Sequence, residues 1–585
     1  MSDSSVMIRI GGEGGEGVIS TGELLSKAAS RAGHSIMTYR IFPAEIKGGL
    51  AQFQMRLSDR SIRAIATEFD HLMAFNQEAL DAFHETVADG GCIYYDPSEC
   101  DLEGMEIRAE TIPVPLNEIA KEHGGTNRGK NMVALGFLAR IAGLDLSVTR
   151  DLLTEKFRRK GEKILAVNIA CLEAGYEVGA ESSNGRAVLP SPPNGDGGGE
   201  NGRRTIVISG NEATALGAIA AGCRYMAGYP ITPASSILET MSRHLPRFGG
   251  TVVQCEDEIA ALASCLGASY AGQKAMTATS GPGLMLMGEL MTLASTQELP
   301  VVVIDVQRGG PSTGLPTKQE QSDLKFAIYG SAGEVPRIIV APASVEECFH
   351  LTARAFNLAE RYQLPVIVLS DTSLAFRTET IPEPDVSQIV VENRLQPTKA
   401  ELVGYQRYRD TPTGVSPVAI PGTVGGIHIA GGLEHDENGS PCYTGSNHNR
   451  MNAKRFRKLE TLREDFDEWV ADFEIVEDAA LGIIGWGSTK GAIQEAIEMA
   501  AERGIRVSHF HPRIVSPLPE KRLRRFLEES PIRKVLVVEE NFTGQFSHFL
   551  KAKFDIRPVE VLKAEGVPFN PSEIFDAIVK AEADL

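Results

Sequence analysis

The chain has 585 residues, 58 Lys and Arg against 77 Asp and Glu, and a formal net charge of −19. At roughly 150 residues per domain this length predicts about three to five units, and an acidic field with no Lys/Arg block excludes nucleic acid as a partner. No apolar run reaches the ~20 residues of a membrane helix, and the start MSDSSVMIRI lacks the basic and apolar regions of a secretory signal, so no membrane association and a cytoplasmic location are expected.

The first segment, VMIRIGGEGGEGV followed by ISTGELLSKAASRAGHSIMTY, predicts strand, glycine loop, helix and strand, opening an α/β domain over residues 1–180. Gly12-x-Gly14-x-x-Gly17 directly follows the strand and opens the helix, where glycines let backbone N–H groups approach a pyrophosphate. A tight strand-to-helix turn that needs small residues explains the same glycines. The second strand ends Thr38-Tyr39-Arg40, with no acid to hold a ribose diol, and Glu13 and Glu16 bring negative charge into the loop; both argue against a nicotinamide dinucleotide.

Residues 181–204, ESSNGRAVLPSPPNGDGGGENGRR, contain almost nothing that could enter a core and are expected to be a linker. Gly195-Asp196-Gly197 imitates the start of the Mg²⁺ and diphosphate motif of thiamine enzymes. No strand leads into it, and AAGCRYMAGYP stands where the later Asn would be expected, so it is taken as a decoy. The eight cysteines are scattered, with no C-x-x-C pair, which predicts reduced thiols and no iron–sulfur cluster held by this chain.

A second α/β domain is expected over 205–377, opened by TIVISG and continued by the apolar strands KAMTATS, LPVVVIDV, PRIIVAP and LPVIVLS. Strands that apolar predict a parallel sheet buried on both faces. Four motifs punctuate it. In Gly228-Tyr229-Pro230-Ile231-Thr232-Pro233-Ala234-Ser235 two prolines fix the backbone around a hydroxyl; the same residues also suit a loop with a helix cap. Glu256-Asp257-Glu258 opens a helix of small and apolar residues, where dipole complementarity suffices for the first two acids and Glu258 is a candidate buried carboxylate. Thr279-Ser280-Gly281-Pro282-Gly283 reads as a strand-to-helix turn. The run Gln307 to Thr317, QRGGPSTGLPT, puts Arg308 at the carboxyl end of an apolar strand, where open α/β sheets bind anionic ligands. From 378 to 473 the pattern decays into Pro/Gly-rich stretches and a charged helical run, a connecting subdomain, and 474–585 carry strand–helix units of a third α/β domain.

Taken together, YPITPAS, EDEIAALASCLGASYAG, TATSGPGLMLM and QRGGPSTGLPTKQEQSDL, in this order and spacing, resemble the alpha subunit of 2-oxoacid:ferredoxin oxidoreductases. GGEGGEGV, FPAEIKGG and NMVALGFLA similarly resemble the gamma subunit of the same enzymes, here joined ahead of alpha. The resemblance implies a multidomain α/β chain: an N-terminal gamma-type domain, a thiamine-enzyme pyrimidine-binding-type domain and a transketolase C-terminal-like domain. It implies thiamine diphosphate shared with an obligate beta subunit that holds the Mg²⁺ and a [4Fe–4S] cluster, with ferredoxin as electron partner and a dimer of alpha–beta heterodimers as the assembly.

Carried over position by position, the glutamate that touches the aminopyrimidine ring matches Glu258, beside Tyr229, Pro230 and Ile231 as cofactor neighbours. Arg308, Thr232 and Thr317 match the residues that bind the 2-oxoacid. Coenzyme A is expected at the gamma domain, with Gly14, Gly17 and Lys47 as candidate contacts and Arg40 as a further one. Where some relatives have a serine before the I-K-G run, this chain has Ala44. By analogy the substrate is 2-oxoglutarate; the alternatives are a broad 2-oxoacid enzyme that also takes pyruvate, and a noncatalytic nucleotide-binding scaffold, which leaves Arg308 and Glu258 without a role.

Overall fold

The structure is a computed structural model that describes residues 5–43, 48–66, 68–182, 204–529 and 531–585. It divides into two units, Met1–Ile208 with Phe376–Glu383 and Asn570–Ser572, and Ser209–Ala375 with Pro384–Phe569 and Glu573–Leu585.

The first unit is built on an eight-stranded mixed sheet. Its central strand, Ser5–Glu13, pairs antiparallel with Leu50–Ser58 and parallel with Phe69–Ala74. Val6, Ile8 and Ile10 of that strand bury against Leu24, Leu25 and Ala28 of the helix Val18–Arg31. The helix ends where Gly33 turns to φ 94° and its N–H reaches the Ser30 carbonyl, the left-handed exit that glycine permits without a Cβ clash. Two short strands from beyond the Gly/Pro-rich stretch, Thr205–Ser209 and Thr378–Pro382, complete one edge of this sheet. The first reads as the opening of the second domain and the other falls where the pattern decays, so the sheet they join is not legible in the sequence.

In the second unit the strands expected from the apolar runs are present at Ala275–Thr279, Val301–Gln307, Ile338–Val340 and Pro365–Asp371, and with Tyr225–Gly228 and Thr251–Gln254 they pair in parallel. Val302, Ile304 and Val306 of one strand face one helical layer, and Val301 and Val303 face the other, so the sheet is buried on both sides, as parallel sheets are. A second, five-stranded sheet occupies the C-terminal part, Ala471–Glu474 being its antiparallel strand. Ile514–Ser516 leaves that part to pair with Ile338–Val340, extending the larger sheet to seven strands.

Between them runs a largely irregular stretch and then the helix Gly445–Glu464, the charged run of the sequence. It is not simply a solvated helix. Lys454 and Lys458 are fully buried and bracket the carboxylate of Glu298 at 2.7 and 2.6 Å. Among the described residues no helix is long and apolar enough to cross a membrane.

Candidate active site

The strands Tyr225–Gly228, Ala275–Thr279 and Val301–Gln307 are neighbours in the second unit's sheet and run in the same direction. Their carboxyl ends therefore bring together three loops distant in sequence: Tyr229–Pro233, Ser280–Gly283 and Arg308–Thr317. This is the edge at which open α/β sheets carry ligands.

Arg308 is 7% exposed and reaches from the third loop to the first. Its Nη1 donates to the Thr232 carbonyl at 2.6 Å and its Nη2 to the Thr313 carbonyl at 3.1 Å. Nε has no partner among the described residues. Two carbonyls thus fix the plane of the guanidinium while leaving N–H groups for an anion. Burial pulls the Arg308 pKa down from its ordinary value, and Asp323 and Glu258 oppose that shift. The loop folds back on itself, with Gly309 N–H donating to the Lys318 carbonyl at 3.0 Å and Leu315 N–H to the Gly309 carbonyl at 2.8 Å, which returns the half-buried Thr317 to the neighbourhood of Arg308. Its far end is held by the C-terminal part: Gln319 Nε2 donates to Glu540 Oε2 at 2.5 Å, and Gln321 N–H to the Glu540 carbonyl at 2.6 Å.

Glu258 is the first residue of the helix Glu258–Tyr270, which Asp257 caps by accepting the Ala260 N–H at 2.7 Å. Asp257 thereby satisfies one of the open donors of the helix start, and Glu258 is left 5% exposed with no hydrogen bond to its carboxylate from any described residue. The carboxylate packs on the second loop so closely that a Cβ placed on Gly283 would stand 2.6 Å from Glu258 Oε1 and 2.1 Å from Thr279 Oγ1. Tyr229 and Pro230 are exposed and Ile231 half-buried at the rim of the first loop.

Two acids that the sequence reading did not single out complete the cluster. Asp305, in register with Thr279, is fully buried and neither carboxyl oxygen has a partner among the described residues. Burial, with Asp323 adding to it, pushes its pKa well above the usual carboxylate range. Asp323 is pushed up to about 7, by burial first and then by Glu320, against the pull of Arg308. The signal available in the sequence was the lone acid in the run VVVIDV.

In the first unit the glycine loop is explained by the packing of the chain. Gly14 N–H donates to the Gly49 carbonyl at 2.9 Å, and a Cβ there would meet the Gly48 carbonyl and the Pro43 ring, each at 2.9 Å. Gly17 sits at φ 91°, against Asn131. Glu16 is turned inward, accepting from Glu13 N–H and Asn76 and pairing with Lys130, so its charge is already met. Arg40 is held by Glu23 at 2.5 Å. Lys47 and Ala44 lie outside the described residues, as do Gly195-Asp196-Gly197 and nearly all of the 181–204 stretch. Among the described residues no group of three or more His, Cys, Asp and Glu side chains is placed to hold a metal ion.

Comparison with known proteins matches three family descriptions in succession: "Pyruvate ferredoxin/flavodoxin oxidoreductase" over residues 7–178, "Pyruvate flavodoxin/ferredoxin oxidoreductase, thiamine diP-bdg" over 216–454, and "Pyruvate:ferredoxin oxidoreductase core domain II" over 479–573. The chain is 36% identical to the 2-oxoglutarate oxidoreductase subunit KorA of Mycobacterium tuberculosis, over 97% of its own length and 90% of that protein. It is 39% identical to the 2-oxoglutarate synthase subunit KorA of Methanothermobacter thermautotrophicus, over 64% of its length and 98% of that protein. Among solved structures, it superposes on the 2-oxoglutarate:ferredoxin oxidoreductase of Magnetococcus marinus, determined with 2-oxoglutarate, coenzyme A and succinyl-CoA bound. There the TM-score is 0.92 and the identity 40%, over 99% of this chain and all of that one.

Proposed function

The chain belongs to the 2-oxoacid:ferredoxin oxidoreductases, and from that premise we propose that it is the fused gamma–alpha subunit of a thiamine-diphosphate-dependent 2-oxoglutarate:ferredoxin oxidoreductase. It interconverts 2-oxoglutarate plus coenzyme A with succinyl-CoA plus CO₂ and exchanges electrons with ferredoxin. The observation that carries the reading is the pair formed by a Glu258 side chain that is 5% exposed and makes no hydrogen bond with the described residues and an Arg308 guanidinium whose plane is set by two backbone carbonyls.

Thiamine diphosphate, when bound, supplies the carbanion stabilisation that cleavage next to the oxo group requires. The residues present fit its pyrimidine end: Glu258 offers a carboxylate to share the proton of a ring nitrogen, with Tyr229, Pro230 and Ile231 beside it. Arg308 takes the substrate carboxylate through the N–H groups that Thr232 and Thr313 leave free, a charge-assisted contact in a largely dry site. The hydroxyls of Thr232 and Thr317 stand to receive the charge that develops on the oxo oxygen.

The finer assignments belong to the same proposal. A beta subunit holds the Mg²⁺, the diphosphate and a [4Fe–4S] cluster; the assembly is a dimer of alpha–beta heterodimers; coenzyme A contacts the first unit near Gly14, Gly17 and Lys47. A cytoplasmic location is supported by eight cysteines that are all free thiols. As its domains the same proposal takes a gamma-type domain at 1–180, a linker at 181–204, a pyrimidine-binding domain at 205–377, a connecting subdomain at 378–473 and a transketolase C-terminal-like domain at 474–585.

The test is reconstitution with the beta subunit, thiamine diphosphate, coenzyme A and a low-potential acceptor, assayed against a panel of 2-oxoacids. Acceptor reduction with 2-oxoglutarate, accompanied by succinyl-CoA, is expected. A reconstituted complex that reduces the acceptor with none of the panel overturns the reading.

A further inference from the structure

The Thr279–Gly283 turn is bracketed by two carboxyl groups. On one side is Glu258, against Gly283; on the other is Asp323, whose oxygens would stand 2.6 and 2.7 Å from a Cβ on Gly281. Asp323 is held by its own backbone, its N–H donating to Gln307 Oε1 at 3.2 Å, one residue before Arg308. Behind it lies Asp305, fully buried with both oxygens partnerless among the described residues, as are Ser280 Oγ and Asp323 Oδ2. Arg308 is the cation in reach of this cluster, and it makes its hydrogen bonds to neutral carbonyls. Its charge is therefore balanced, before any ligand arrives, by Asp323 and Glu258 acting through space.

A carboxylate that seats on Arg308 adds a third negative charge to this enclosed space. We propose that Asp323 is a positioning residue for the substrate, giving Arg308 its counter-charge in the empty site and taking up one proton from solvent when the 2-oxoacid carboxylate replaces it, with Asp305 as the protonated neighbour behind. The proposal rests on Arg308 being the carboxylate anchor. The groups facing Asp323 set the sign. Glu320 from the loop favours its neutral form, Arg308 favours the charged one, Glu258 from the opposite side of the turn acts on the same arginine, and Asp305 from the Val301–Gln307 strand is itself held neutral. The free-site pKa of about 7 places the proton exchange in an accessible range.

The consequence is a split between KM and kcat. In the reconstituted complex the KM for 2-oxoglutarate should be flat below about pH 7 and rise above it, approaching tenfold per pH unit for a one-proton linkage, while kcat does not follow that slope. Asp323→Asn, fixed in the neutral form, should hold a KM at pH 8 close to the wild-type value at pH 6 and lose the slope. Glu320→Gln removes the nearby charge that raises Asp323 and should move the break to lower pH, which serves as the test if Asp323→Asn does not assemble. A wild-type KM that is flat from pH 6 to 9, a slope that survives Asp323→Asn, or a break unmoved in Glu320→Gln overturns the proposal. Arg308→Lys separates the two layers. If it raises the KM of every 2-oxoacid while the wild-type profile is flat, only the Asp323 role falls; if it leaves KM untouched, the anchor and the linkage fall together.

Discussion

The Arg308 guanidinium donates through Nη1 to the main-chain carbonyl of Thr232 at 2.6 Å, across 76 residues of sequence. The contact ties the loop after one strand to the loop after another, and because the acceptor is main chain, no substitution of the Thr232 side chain removes it. The Thr232 hydroxyl takes no part in that contact, and the arginine cannot swing without losing both of its carbonyl partners.

Arg308→Lys should therefore impair every 2-oxoacid alike. Lysine keeps the charge but loses the planar fork, and a charge-assisted pair in a dry site contributes ~1.5–3 kcal/mol, about ten- to a hundred-fold in kcat/KM. Measuring 2-oxoglutarate and pyruvate on the one variant decides it: loss confined to 2-oxoglutarate would reassign Arg308 to the distal carboxylate.

Glu258→Gln should leave the thermal midpoint nearly unchanged, because the carboxylate makes no hydrogen bond within the described protein. Turnover should fall by roughly 10²–10⁴-fold or more, the usual worth of a positioned proton-transfer group. Near-normal turnover in the variant complex would move the role elsewhere.

Gly283→Ala probes the same carboxylate from the other side. The added methyl would fall 2.1 Å from Thr279 Oγ1 and 2.6 Å from Glu258 Oε1, so one of them must shift. Because the turn lies in the candidate site, turnover should drop by up to about 10²-fold, the order of loss that a roughly 1 Å misplacement brings, with circular dichroism unchanged. Full activity would mean that Glu258 has slack which this geometry denies.

Lys458 is a stability prediction. Its folded-state pKa is lowered to about 7, by burial against the pull of Glu298, below the ordinary 10.5. Between those values the unfolded chain carries a proton that the folded chain releases, so this group's contribution to stability rises with pH from about 7 to 10.5. Lys458→Met should be neutral or stabilising at pH 7 and should flatten that slope. Glu298→Gln, which leaves two buried lysines without their anion, should cost about 3–5 kcal/mol. Denaturant midpoints across pH check both.

Lys47→Ala in the reconstituted complex should weaken coenzyme A without altering the KM for 2-oxoglutarate. An unchanged apparent affinity for coenzyme A removes Lys47 from the contact set and turns attention to the main chain of the glycine loop.

Much of the site could be read along the chain. An arginine at the end of VVVIDV, a glutamate opening a small-residue helix and glycines after strands are short-range statements, because apolar runs mark buried strands and the ends of parallel strands are where ligands collect. The tertiary structure decided what those residues meet. Nothing local says that Arg308 rests on the Thr232 carbonyl, that Asp305 and Asp323 stand behind it, or that Glu16 is already answered by Lys130. The helix with Lys454 and Lys458 reads as a charged face in sequence, yet both lysines are buried because Glu298 lies opposite. Thr205–Ser209 reads as the opening of the second domain and Thr378–Pro382 as the start of an irregular stretch, and only the fold makes both of them strands of the first unit's sheet. Periodicity records which face of an element is buried; it carries no record of the partner, and a side chain's charge state depends on that partner and on how far water is kept away.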